Sequence, residues 1–334
     1  MLTVIYPIIK TPSGNRRYAE RILKGLNEAG YAHKEVGVKK IEISIGGKPF
    51  GGIISQSLAL KLKSFNDHPI HSLVPELTPK NGDIVTLHDI IPFIEAAKFI
   101  KNKYDSKSYE MMYSNALNAR KLLSSTNYGK EEIIRELDIP AERIEVVYES
   151  IDHSKFFPDM ENPYPHDGKI HLITVGDFNP RKRFDILFDI VSKNSDLELY
   201  HIGPVNSWKE RASKLMKFVS NYPNIKLLGA VGDEILRKYI SNADAFVYIS
   251  DAEGFGLPPI EALACGTNVV VNDLPVFKET IGEIASISDT EHFEDAILRT
   301  VKNKKDREQL VNYSFKFSLE KEINSLIKLY NSFS

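Results

Sequence analysis

Short apolar runs alternate with longer amphipathic stretches along most of the chain, the pattern of parallel strands wrapped by helices. In the first half, LTVIYPI, DIVTLH, KLLSST and RIEVVY predict strands, and apolar positions at three- and four-residue spacing predict helices over Arg16–Ala29, Ser106–Ala119 and Lys130–Leu137. Between Tyr31 and Leu77 the pattern weakens and predicts one or two strands, a glycine-rich loop at GGKPFGG and a short helix. DHSKFFPDMENPYPHDGK, with three prolines and little periodicity, predicts an interdomain linker. Beyond it the pattern restarts: KIHLITVG, LELYHIG, NIKLLG, DAFVYIS and TNVVVND are five strand-like runs, each followed by a turn or helix. No period of about 20 to 50 residues repeats, which excludes solenoids and propellers. The expected fold is α/β: two Rossmann-like, doubly wound parallel-sheet domains facing a central cleft, with ligands at the carboxyl ends of the strands.

Composition sharpens this. The 334 residues suit two domains, here 1–157 and 168–318, with 319–334 expected as a C-terminal helix packing back on the first domain. Lys and Arg number 43 against 45 Asp and Glu, so no strongly basic field points to nucleic acid as a partner. The single cysteine, Cys265, excludes a disulfide within this chain and reads as a small core residue. The start, MLTVIYPIIKTPSGN, reads as a first strand and not as a secretory leader. The longest apolar run, IIPFIEAAKFI, carries Glu95 and Lys98 and falls short of the roughly 18–20 residues of a membrane span. A cytoplasmic protein is expected.

The densest signal is DAEGFGLPPIEALACG, residues 251–266. DAFVYIS before it reads as a strand, and LPPIEALACG has helical spacing with Pro258 and Pro259 in the first turn, where missing N–H groups cost nothing. Gly266 is placed to stop the helix. The glycines between strand and helix allow a ligand close to the backbone, and the helix start offers unpaired N–H groups and a positive dipole end to an anion. Glu253 in the loop and Glu261 on the helix are spaced to accept hydrogen bonds from sugar hydroxyls.

EGFGLPPIEALACGTNVVVND resembles the most diagnostic motif of glycosyltransferase family 4, the retaining, nucleotide-sugar-dependent enzymes of GT-B fold. TVGDFNPRKRFDILFDIV resembles that family's strand-to-helix segment with the basic pair; Arg183 stands where Gly or Asn is usual. LLSSTNYGKEEIIRELDIPAERIEVVYESIDHSKFFP resembles the end of the first domain, with ESID in place of NGVD. TLHDIIP resembles the strand-end His-Asp of one branch, and TPSGNRRYAERILKGLNEAG the N-terminal glycine loop, its Gly-Gly pair reduced to Ser13-Gly14.

The resemblance implies a second domain that binds the nucleotide sugar and a first domain that binds the acceptor. Arg181 and Lys182 would meet the donor diphosphate, one as a fork of donors and the other as a point charge. Glu253 would hold the sugar and Glu261 the ribose. Gly254, Phe255, Gly256 and Leu257 would line the donor site, His88 would contact the transferred sugar, and Gly14 would let backbone approach it. No Asp-x-Asp occurs in the sequence, so no metal and no cofactor are expected, and cationic side chains would take the leaving charge. The implied reaction moves a hexose, mannose or glucose, from GDP-mannose or UDP-glucose to a hydroxyl of a glycan or lipid-linked acceptor, with retention. A nucleotide-sugar epimerase, a phosphate-dependent phosphorylase and a non-catalytic partner subunit of the same architecture stay open as alternatives. Residues 1–155 carry 22 Lys and Arg against 19 Asp and Glu, and FGGIISQSLALKLKSF and AAKFIKNKYDSKSYEMM interleave lysines with apolar side chains. Peripheral contact of the first domain with an anionic membrane is therefore an expectation as well.

Overall fold

A computed structural model describes residues 1–9, 14–39, 43–45, 48–50, 66–90, 114–205 and 208–333. Backbone contacts divide the chain into two units, Met1–Ser150 with Leu319–Ser334, and Ile151–Ser318.

The first unit holds β1 (Leu2–Ile8), β2 (His33–Lys39), β3 (Ile43–Ile45), β4 (Lys48–Phe50), β5 (Ile70–Ser72), β6 (Ile84–Leu87), β7 (Lys121–Ser124) and β8 (Ile144–Val146). Six of these form a parallel sheet in the order β2-β1-β5-β6-β7-β8, while β3 and β4 pair as a separate antiparallel hairpin. The GGKPFGG segment, expected as a loop throughout, thus lends Lys48–Phe50 to a strand. Leu2, Val4 and Ile5 of β1 are all buried, as expected of a parallel strand covered on both faces. The helix Gly14–Glu28 packs Tyr18, Ala19, Ile22 and Leu26 into the same core.

The helix Leu319–Asn331 completes that core with Ile323, Leu326 and Tyr330. A Cβ on Gly25 would lie 2.4 Å from Ile323, so only glycine lets the two helices approach this closely. The Tyr330 hydroxyl lies 2.7 Å from His71 Nδ1, and Tyr31 donates to Asn331 Oδ1 at 3.1 Å.

The second unit holds β9 (Ile170–Val175), β10 (Leu197–Ile202), β11 (Ile225–Gly229), β12 (Ala245–Tyr248), β13 (Val269–Asn272) and β14 (Ser286–Ser288), parallel in the order β11-β10-β9-β12-β13-β14. The direction of strand addition reverses between β9 and β12. This is the topological switch point at which open α/β sheets bind ligands. The last strand, SIS, is too short and too polar to stand out in the sequence.

The proline-bearing segment expected as a linker is part of this unit. Phe156 and Tyr164 are buried, Arg237 Nε donates to Asp159 Oδ2 at 3.1 Å, and Tyr164 stacks on His171 at 4.9 Å. Its aromatic residues decide where it goes, and its prolines only restrict the path. The helix expected over Ser106–Ala119 is described only from Ser114 onward, and residues 51–65 and 96–112, the bulk of the two lysine-bearing stretches, lie outside the described residues. Among the described residues no helix is long and apolar enough to cross a membrane.

Candidate active site

The residues singled out in the second unit converge at its switch point. After β9 the chain forms a turn of 3-10 helix, Pro180–Lys182, capped by the Asn179 side chain, which accepts from Arg181 N at 3.1 Å. After β12 it runs through residues 249–256 into the helix Leu257–Ala264. These two segments are stitched together. Asp251 N and Ser250 Oγ both donate to the Arg181 carbonyl, at 2.7 and 3.1 Å. Asn272 fixes Ser250 in turn, accepting from its N–H at 2.9 Å and donating to its carbonyl at 2.8 Å.

The result is a compact ionic cluster. Glu253 Oε1 lies 2.6 Å from Arg181 Nη1 and 3.0 Å from Lys182 Nζ, and accepts from the Tyr248 hydroxyl at 2.9 Å. Lys182 Nζ also donates to the Tyr248 oxygen and lies 4.6 Å from the centre of its ring. Burial by itself would raise the Glu253 pKa, but the charges of Lys182 and Arg181 overcome it and hold the carboxyl at about 2. Burial lowers the Lys182 ammonium, and Arg181 adds to this, while Glu253 supports the charged form. A buried ion group of this kind gives little net stability and holds its members in one geometry. Lys182 is 8% exposed. The Arg181 side chain, at 24%, is the outer cation.

Gly256 caps the helix Leu257–Ala264 at φ 85°, ψ 48°, and a Cβ there would lie 2.8 Å from the Phe277 ring, so both conformation and space demand glycine. Pro258 and Pro259 fall in the first turn. The Phe255 ring is buried edge-on against Phe317 at 5.4 Å, which leaves its backbone as the part able to meet a ligand. Gly254 precedes it in the loop, Leu257 begins the helix, and Glu261 sits on the helix, 9% exposed. Burial pushes the Cys265 thiol up to about 12, so it is an inert core group.

Arg183 follows the basic pair in the left-handed region, at φ 36°, ψ 39°, and pairs with Asp185 at 3.3 Å and Asp251 at 3.0 Å. Gly and Asn tolerate this conformation best, which accounts physically for their use at this position in the resembled motif. Arg183→Gly and Arg183→Ala both delete the ion pairs and differ in backbone strain. Urea unfolding is therefore expected to find the glycine variant more stable by about 1 kcal/mol. Equal stabilities would refute the strain.

His88 and Gly14 belong to the first unit. Both His88 ring nitrogens are engaged there, Nδ1 with Glu149 Oε1 at 3.0 Å and Nε2 with the Leu73 carbonyl at 3.0 Å, and the ring meets Tyr18 edge-on at 4.4 Å. Both partners are acceptors, so the ring that satisfies both is the imidazolium. Burial opposes that charge, but Glu149 and the Leu73 carbonyl outweigh it and raise the pKa. Glu149 also faces Arg21 at 3.6 Å. Its carboxyl, which burial alone would raise, is lowered by His88 and Arg21. Gly14 opens the helix Gly14–Glu28, and an added Cβ would meet nothing within 4 Å. Folding does not require glycine there.

Next to this group Glu322 accepts from Ser150 N at 3.0 Å, and burial is the main force raising its pKa to about 7. With a folded value above its ordinary 4.5, Glu322 gives stability that is complete below 4.5 and lost as pH rises through about 7. The stability from His88 is likewise present below its ordinary 6.5 and lost as pH rises through the raised value. Glu149 runs the other way, losing its contribution only in acid. The first unit is thus expected to lose melting temperature as pH rises from about 5 to about 8. Glu322→Gln, which cannot ionise, is expected to flatten that fall. Parallel profiles for the two proteins would overturn the assignment.

Two site residues escape sequence reasoning. Tyr248 ends an apolar strand run and reads as one more core aromatic; its terminal position was the only signal. His201 Nε2 lies 2.8 Å from the Gly176 carbonyl, supporting the turn after β9, and burial lowers its pKa to about 4, so it acts as a neutral donor.

Two parallel α/β units, the second carrying a cationic pair and a helix start at its switch point, define the GT-B class of fold. Residues 157–317 match the model of the glycosyl transferases group 1. That match covers the second unit and is to the family, glycosyltransferase family 4, whose motifs the sequence resembles. It is 29% identical over 215 residues to the O-antigen chain mannosyltransferase RfbU of Salmonella typhimurium; the match covers 63% of this chain and 57% of that protein. Sucrose-phosphate synthase from Thermosynechococcus elongatus shares the fold at TM-score 0.78 and 16% identity, over 99% of each chain. HepE from Anabaena, solved in complex with UDP-glucose, does so at TM-score 0.71 and 13% identity, over 99% of both chains.

Proposed function

We propose that the protein is a retaining, metal-independent hexosyltransferase that moves mannose or glucose from a nucleotide diphosphate sugar to a hydroxyl of a glycan or lipid-linked acceptor. The observation that carries this reading is the Arg181–Lys182–Glu253–Tyr248 cluster, held beside the start of a helix at the switch point of the second sheet. The mannosyltransferase named above supports mannose and the UDP-glucose complex of HepE supports glucose, with GDP-mannose and UDP-glucose as the corresponding donors.

In this reading Arg181 and Lys182 take the diphosphate, joined by N–H groups of the helix start. Gly254, Phe255, Gly256 and Leu257 present backbone to the donor. Glu253, with Oε1 committed to its three partners, turns Oε2 to the sugar hydroxyls, and Glu261 takes the ribose. The bond from the anomeric carbon to the diphosphate oxygen breaks as the acceptor oxygen bonds to that carbon from the same face. The hydroxyl proton passes to the departing diphosphate, so no protein base is needed. The two cations stabilise the charge that develops on the leaving group, and being fixed in advance they pay no reorganisation cost at that moment. His88 serves as a fixed buried charge in the acceptor-binding unit and Gly14 as an open point of backbone approach.

The test uses GDP and UDP as probes. One of them is expected to raise the melting temperature of the wild-type chain, since a ligand at 100 times its Kd adds about 2.7 kcal/mol. Glu261→Ala is expected to lose most of that rise. Equal shifts for both proteins would remove the ribose role, and no shift with either nucleotide would remove the donor site. Conversion of the donor to an epimer without acceptor would mark an epimerase instead.

A further inference from the structure

The second sheet carries a separate cluster at the other end of its strands. His171 on β9 and Glu198 on β10 are register partners, so their side chains emerge together on one face, and Asp167 precedes β9. His171 Nε2 lies 3.2 Å from Asp167 Oδ1 and 3.7 Å from Glu198 Oε2, and single ligand atoms of the three residues all lie within 4.8 Å of one another. The His171 side chain is 9% exposed, and its Nε2 has no hydrogen-bond partner. An orphaned ring nitrogen between two carboxylates is costly as it stands. We propose that Asp167, His171 and Glu198 bind one divalent transition-metal ion, zinc by the chemistry of the donors.

One imidazole with two carboxylates suits zinc better than magnesium or calcium, which prefer oxygen alone. Ligand atoms about 2.0–2.2 Å from zinc stand roughly 3.0–3.5 Å apart, close to the two spacings from His171 Nε2, 3.2 and 3.7 Å. Supporting contacts orient the set. Tyr200 donates to Glu198 Oε2 at 2.7 Å, Tyr164 stacks on the His171 ring at 4.9 Å, and the backbone N–H of His171 donates to Asp244 Oδ2 at 2.8 Å. Lys226, 3.5 Å from Glu198 Oε1, is the one cation facing the set among the ion pairs of the described residues, and it meets the oxygen opposite the proposed ligand atom. Asp167, 33% exposed, gives the ion its entry from solvent. His171 stands five residues before Gly176, on the order of 16 Å along the strand, so the site is distinct from the donor site and its ion is structural.

The full chain, stripped with EDTA and desalted, is titrated with zinc against a chromophoric chelator. One zinc per chain is expected, with affinity reduced roughly 10- to 100-fold in both Asp167→Asn and His171→Gln, and with a zinc-dependent rise in melting temperature only in the wild type. Magnesium should not compete. Asp167→Asn alters an exposed loop and keeps the test decisive should His171→Gln fold poorly. Zinc binding unchanged by Asp167→Asn, or no zinc bound by the wild type, overturns the proposal.

Discussion

Lys182→Ala is expected to lower kcat by roughly 10²–10³ with little change in KM for the donor, the usual cost of removing one group aimed at developing charge. Lys182 is buried and tied to both Glu253 and Tyr248, so it cannot be replaced by a solvent cation or by a neighbouring side chain. The more exposed Arg181 should cost a similar amount, since it shares the same leaving group from the outer side. Folding should suffer less than turnover, because Glu253 keeps Arg181 at 2.6 Å. Steady-state kinetics in excess EDTA make the measurement. Activity of Lys182→Ala within about threefold of wild type would remove the cluster from the reaction.

Glu253→Ala is expected to be the most destabilising single change at the site, by about 3–5 kcal/mol, because it leaves the buried Lys182 charge uncompensated. Urea unfolding of the second unit reads this out. The companion is the double variant Glu253→Ala/Lys182→Ala. If the penalty comes from the stranded ammonium, removing that ammonium restores part of the stability, whereas independent losses would add. Additive losses would count against the ion cluster as the cause. Acid should mimic the single change. The Glu253 carboxyl is held at about 2, so its stabilisation is present above its ordinary 4.5 and is lost as pH falls through about 2.

The second unit was far more legible in the sequence than the first. Apart from β14, its strands are apolar-rich runs because both faces of the sheet are covered, and such runs stand out. The basic pair and the EGFGL segment are likewise local, set by a strand end, a turn and a helix start within a few residues of each other. What the sequence could not show is that Arg181 and Lys182 are already occupied by Glu253, which lies more than 70 positions away and meets them only through strand order. The same holds for His88, whose partners Leu73 and Glu149 are brought to it by β5, β6 and the segment after β8. The stretch from Tyr31 to Leu77 stayed ambiguous because β3, β4 and β5 have only three residues each, too few for a period to declare itself.

The return of the helix Leu319–Asn331 to the first unit has a consequence for how the protein is made. The unit begun at Met1 can close only after Ile323, Leu326 and Tyr330 of its core have left the ribosome. At about 5–20 residues per second, the wait between Ser150 and Leu319 is on the order of 10–30 s. During that time the groove sized by Gly25 for Ile323 stands open to water, while the contiguous second unit emerges and can fold ahead of it. Completion of the first unit is thus expected to follow that of the second, the reverse of the order in which their first residues are translated.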